Sequence, residues 1–185
     1  MKNETSIRGE ILTLGVALTI SYILLYQFNA SIIGTSGNAE IAALVFLPAF
    51  VRFLGFLLIG LWAIPFLWLA AALSLNFEID LKALLLLAAC LELGAPLSLA
   101  LFRKAVPVHI AFEYITGRNL LALSLVAAFG SAVSYHIGLS LVGVGAFSVQ
   151  TFAIAVVGNA AGTWVIFYAI KIALTVFGKT YSKRG

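Results

Sequence analysis

Long apolar runs separated by short polar stretches dominate the chain. A membrane-crossing helix needs about 20 such residues, within a range of about 17–25. The first run, 11–28 (ILTLGVALTISYILLYQF), lies between a segment carrying Lys2 and Arg8 and the polar stretch NASIIGTSGN. It reads as a retained span and not as a cleaved signal peptide. The core is long, Glu4 and Glu10 dilute the basic flank, and no clear small-x-small cleavage site follows.

Residues 41–77 carry a single charge, Arg52. One straight helix over that length would run about 55 Å, nearly twice the hydrocarbon thickness, so two short spans are expected. The break falls near Gly55 to Gly60, with Pro48 and Pro65 inside the two arms, giving spans near 41–58 and 60–75. The first of these either crosses fully or re-enters, because a full crossing holds Arg52 deep in lipid. Further spans follow at 83–102, 120–141 and 149–177, and the polar segment 105–116, with alternating apolar groups around Pro107, reads as interfacial. The predicted fold is all-α: a polytopic bundle of about six transmembrane helices, including one short or re-entrant hairpin, in a single domain over 1–185.

Composition narrows the class further. Of 185 residues, 63% are hydrophobic and only 10% charged, with a mean hydropathy of +1.12. A soluble domain carries about 25% charged residues, so a soluble enzyme, a disordered tail and a nucleic-acid-binding domain are all excluded. The sequence pI of about 9.4 does not alter this. Six spans place Lys2, Arg8, Arg103, Lys104, Arg118, Lys179, Lys183 and Arg184 on one side of the membrane and Lys82 alone on the other. Under the positive-inside rule both termini are then cytoplasmic, and the net charge of +4 reflects topology and suits contact with anionic lipid.

Candidate chemistry resides in the polar groups held within spans: Arg52, Glu92, His136, Asn159 and Lys171. Each costs a few kcal/mol at mid-membrane, so such residues face the bundle interior and have partners. Glu92 lies at the centre of its span on a stem too short to snorkel, and Arg52 is its natural partner. Two roles stay open for the pair: an ion pair that fixes helix packing, or a proton or ligand site. His136 falls toward the outer leaflet, and a hydrogen bond to a neighbouring helix accounts for it. Because His109 belongs to the opposite end, the two do not form an axial haem pair. Lys171 is placed to snorkel to the headgroups.

In the last span Gly158 and Gly162 form a small-xxx-small pair beside Asn159, the mark of a close helix interface, internal or between subunits. Gly130 and Ser134 form a similar pair and are its candidate mate. Cys90 is the only cysteine, so neither a disulfide framework nor a cysteine metal site is expected. No GxSxG, HExxH, P-loop or dinucleotide-binding motif occurs, and no catalytic residue, cofactor or metal is expected. The glycosylation-type triplets at Asn3 and Asn29 carry little weight at that length.

The stretch FLPAFVRFLGFLLIGLWAIPFLWLAAAL resembles the early hairpin of bacterial membrane-associated sensor domains of the MASE type. The stretch VGNAAGTWVIFYAIKIAL is similar to their Gly-Asp-x-x-Gly helix, with Asn159 standing where that pattern has an acid. The two cover about a quarter of the chain. The resemblance implies a non-enzymatic, multi-pass sensory module of the bacterial inner membrane that signals through, or assembles with, another protein. The expected partners are therefore the lipid bilayer and other membrane subunits or a second copy, with no nucleic acid. The expected function is that of a non-catalytic module acting by association, as an accessory subunit or a stand-alone sensor-like bundle. The alternative is a small transporter or substrate-binding component with a midplane site at Glu92 and Arg52, motivated by helices interrupted by Pro and Gly.

Overall fold

In lipid every backbone N–H and C=O must be satisfied within its own segment, so long apolar runs fold as helices. The computed structural model describes residues 4–33, 44–75, 79–105, 117–145 and 147–182, and all regular structure among them is helical. Helix α1 spans Glu4–Ile33, α2 Pro48–Ile59, α3 Ala63–Ser74, α4 Leu81–Ala105, α5 Gly117–Leu141 and α6 Val149–Ser182, with a 3-10 turn at Gly60–Trp62 between α2 and α3. Five segments among the described residues are long and apolar enough to cross a membrane: Ile7–Ser31, Pro48–Ser74, Leu81–Ala105, Gly117–Leu141 and Val149–Ala173. This is the composition and architecture of a helical membrane bundle.

The second of those segments is not one rod. Gly60 adopts φ 61°, a left-handed conformation open to glycine, and the chain folds back there. A Cβ built on Gly55 would sit 3.2 Å from Cβ of Ala63, whereas eight residues of straight helix would separate them by about 12 Å. The expected spans 41–58 and 60–75 are therefore the two arms of one hairpin, with 41–43 outside the described residues. Each arm is a helix of 12 residues, about 18 Å long and short of the roughly 30 Å core. Its entry residue Phe46 meets the ring of Tyr26 on α1, and its tip residue Trp62 shares a cleft with Arg8 and Ile11 near the start of α1. The hairpin thus lies alongside roughly 20–27 Å of α1.

Both prolines of the hairpin stand at helix starts and not in helix interiors. Pro48 opens α2 and Pro65 lies in the first turn of α3, where a missing N–H deprives the helix of no bond. Among the described residues only Pro96 sits inside a helix, α4. Of the expected interfacial segment 105–116, Ala105 is the last residue of α4, and 106–116, with His109, lie outside the described residues.

Paired contacts set the helix directions. Tyr26 meets Phe46 while Tyr22 meets Arg52, so α1 and α2 are antiparallel. The indole of Trp68 on α3 donates to the carbonyl of Leu85 on α4. Ser134 donates to the carbonyl of Cys90 and Ser98 to that of Val126, making α4 and α5 antiparallel. His136 meets Thr151 and Trp164 donates to Ser124, making α5 and α6 antiparallel. The core draws on all six helices through residues such as Tyr22, Val51, Leu67, Leu91, Ala132 and Ala155. Outward faces are apolar too, as with Leu12, Ile20, Leu24 and Phe28 on α1, which is what a lipid solvent permits.

Candidate functional site: a sealed ion pair at the meeting of four helices

Tyr22, Arg52, Glu92 and Asn159, from α1, α2, α4 and α6, converge in the interior. Arg52 is 2% exposed and Glu92 0%. The guanidinium grips the carboxylate side-on: Nε donates to Oε1 at 3.0 Å and to Oε2 at 2.9 Å, and Nη2 donates to Oε1 at 2.7 Å. Nη2 also donates to the Tyr22 hydroxyl at 2.8 Å, and that hydroxyl donates onward to Glu92 Oε1 at 2.9 Å. Nη1 reaches Asn159 Oδ1 at 3.4 Å, while Asn159 Nδ2 is engaged with the carbonyl of Ala155 at 2.7 Å. The cation is further flanked by the rings of Tyr22 and Phe46, 5.5 and 5.0 Å from their centroids, an arrangement that favours a desolvated cation.

The expected partnership of Arg52 with Glu92 is thus a direct ion pair, and Asn159 joins it. Tyr22 was not singled out by sequence reasoning. The signal was available: Leu18, Tyr22, Tyr26 and Asn29 fall on one face of α1 at spacings of four, four and three, a polar-tipped stripe in an otherwise apolar run.

A second set of contacts seats α2 so that Arg52 points inward. Its first turn leaves orphan donors. Phe46 N–H donates to the carbonyl of Gly158 at 2.8 Å, and Leu47 N–H donates to Asn29 Oδ1 at 3.0 Å. Gly162 admits this backbone, since an added Cβ would overlap the carbonyl of Phe46. The Gly158 and Gly162 face is therefore an internal interface between α6 and the entry of α2. Asn29 is consumed in the same seat, 3% exposed, and does not present itself to a glycan.

The expected pairing of Gly130 and Ser134 with that face is corrected. They pack on α4, where a Cβ on Gly94 would overlap the carbonyl of Gly130 and where Ser134 donates to Cys90. The two small-residue pairs serve different contacts because the entry of α2, and not α5, lies over Gly162.

His136 shares no partner with the ion pair. Nδ1 lies 2.9 Å from the carbonyl of Ala132, so it donates there, and Nε2 lies 3.1 Å from Thr151 Oγ1 on α6. The rings of Tyr135, Phe147 and Phe152 stand 5.2–5.5 Å from its centroid. It borders an open apolar cleft of about 360 Å³ with Val133, Ile137 and Phe147. Lys171 is exposed on α6. Among the described residues no three His, Cys, Asp or Glu side chains converge as metal ligands.

Compared with family models, curated proteins and solved structures, the chain matches none. What the site can do must therefore be argued from its own chemistry. It is a charge-neutral cluster in which every buried side-chain nitrogen and oxygen among the described residues has a hydrogen-bond partner.

Proposed function

We propose that this chain is a non-catalytic, multi-pass module of the bacterial inner membrane that works by association, as an accessory subunit of a membrane complex or a stand-alone sensor-like bundle. The observation that carries this reading is the closure of the Arg52–Glu92 pair: at 2% and 0% exposure both charges are spent on each other and on Tyr22. Such a pair ties α1, α2, α4 and α6 into one body. A module that is read by its neighbours needs a stiff body more than an open site. The likeness of 46–73 and 157–174 to sensor domains of the MASE type supports the sensor-like form.

The topology proposed with it is that of about six helices, with α2 and α3 as one short hairpin that need not cross fully, and both termini in the cytoplasm. It draws support from the depth of the α2–α3 hairpin beside α1 and from the gathering of Arg8, Arg103, Lys104 and Arg118 at the end where α1 starts, α4 ends and α5 begins.

One observation favours a second reading, a small transporter or substrate-binding component. Arg52 sits on a short helix interrupted at Gly60, φ 61°, the kind of discontinuous helix that builds midplane binding sites.

The test is mild-detergent purification with analysis of composition, combined with proteoliposomes loaded with a pH-sensitive dye. The expected result is a complex or homo-oligomer of constant stoichiometry, weakened in Glu92→Gln, with no proton flux above protein-free vesicles. A monomer whose proton flux disappears in a folded Glu92→Gln variant overturns the proposal in favour of transport.

A further inference from the structure

The cleft between the start of α1 and the hairpin tip has not been used by either reading. It measures about 450 Å³, within the roughly 300–1,000 Å³ typical of small-ligand sites. Arg8, Ile11 and Leu12 form one wall and Trp62, Pro65 and Phe66 the other. Gly60 makes this shape possible, because its left-handed φ turns the chain and leaves Trp62 projecting, 66% exposed. Among the described residues the lining holds one cation and no carboxylate. Glu10, two residues from Arg8, borders a different hollow with Gly9, Thr13 and Leu14. The cleft therefore has a positive mouth, an indole beside it and an apolar floor, at the end of the bundle where α4 finishes in Arg103 and Lys104.

We infer that this cleft binds an anionic phospholipid, with the phosphate on Arg8 and the start of an acyl chain against Ile11, Leu12, Pro65 and Phe66. A guanidinium presents a fork of donors that matches phosphate oxygens. Tryptophan belongs at headgroup depth, its ring in the apolar region and its N–H in the polar one. An anionic lipid satisfies Arg8 and leaves no charge over. A zwitterionic lipid brings an ammonium that finds no carboxylate among the described residues of the lining. A soluble phosphate would meet Arg8 but leave the apolar walls uncovered, so the occupant is a lipid. The inference depends on the chain spanning a bilayer and on neither functional reading.

The experiment embeds the chain in nanodiscs of equal parts phosphatidylglycerol and phosphatidylcholine and counts co-released lipids by native mass spectrometry. The expected result is retention of phosphatidylglycerol over phosphatidylcholine. Arg8→Gln lowers that ratio about fivefold, the worth of one basic residue near an anionic surface. Arg118→Gln, exposed on the same side but at the start of α5, leaves the ratio unchanged. Trp62→Ala lowers retention of both lipids. All three positions are exposed, so unchanged melting temperatures are expected and confirm that folding is intact. Equal loss from Arg8→Gln and Arg118→Gln overturns the site in favour of diffuse surface charge. No loss in Arg8→Gln overturns it outright. Displacement of the lipid by millimolar glycerol 3-phosphate overturns the lipid as ligand in favour of free phosphate.

Discussion

Two polar clusters occupy this apolar bundle, and they are built to different standards. At Arg52 and Glu92 a full positive and a full negative charge are removed from solvent, and the side chains of Tyr22 and Asn159 and the aromatic faces of Tyr22 and Phe46 are recruited around them. At His136 one imidazole bridges α5 and α6 through a single side-chain partner, Thr151, beside an open cleft. The difference follows from what each group costs when left alone. A lone buried charge is costly enough that the surrounding helices must be specified around it. A lone imidazole needs two hydrogen bonds, and its own helix supplies one of them from Ala132. The first cluster therefore organises the fold, whereas the second reports a local contact.

The largest effect belongs to Glu92→Gln, which leaves Arg52 buried without its counter-charge. Unfolding in detergent should show a loss of about 3–5 kcal/mol, and the charge-free double variant Arg52→Met/Glu92→Met should recover most of it. A Glu92→Gln protein that melts like wild type would remove the basis for the comparison.

Next comes the seat of the same cluster. Gly162→Ala drives a methyl group into the backbone at Phe46 and should cost about 1–3 kcal/mol as overpacking. The same loss should appear as faster proteolysis between α1 and α2 if the entry of α2 is displaced.

Tyr22→Phe isolates one hydroxyl, which accepts from Arg52 and donates to Glu92. A decrease of about 1–2 kcal/mol is expected, with the Arg52–Glu92 bonds intact. A double-mutant cycle with Asn159→Ala would show whether the outer members of the cluster act independently.

The smallest effect is assigned to the second cluster. His136→Phe keeps the aromatic packing and deletes the bond to Thr151, for an expected change of about 0.6 kcal/mol, the average for a polar contact between membrane helices. A change as large as that in Glu92→Gln would erase the distinction between the two regions.

Much of this could be read from the chain because lipid imposes a simple rule. Long apolar runs had to be helices, and Arg52 and Glu92, as rare charges inside them, had to find each other. Local chemistry also marked Gly60 as part of a break and Gly158 and Gly162 as a close interface. What could not be read was which surfaces meet. In a soluble helix a polar face announces the outside, but here the outward residues Leu12, Ile20 and Leu24 are as apolar as the buried Leu18 and Leu67.

Sequence by itself thus determined the helical membrane class, the positions of most helices and the identity of the central ion pair, since each follows from the cost of placing a backbone dipole or a charge in hydrocarbon. Tertiary structure alone decided that residues 48–74 fold back at Gly60, that Tyr22 and Asn29 complete the polar contacts, and that Gly162 faces Phe46 while Gly130 faces Gly94. Those choices depend on shape complementarity between apolar surfaces. Hydrophobicity does not distinguish one such surface from another, so only the packed bundle selects among them.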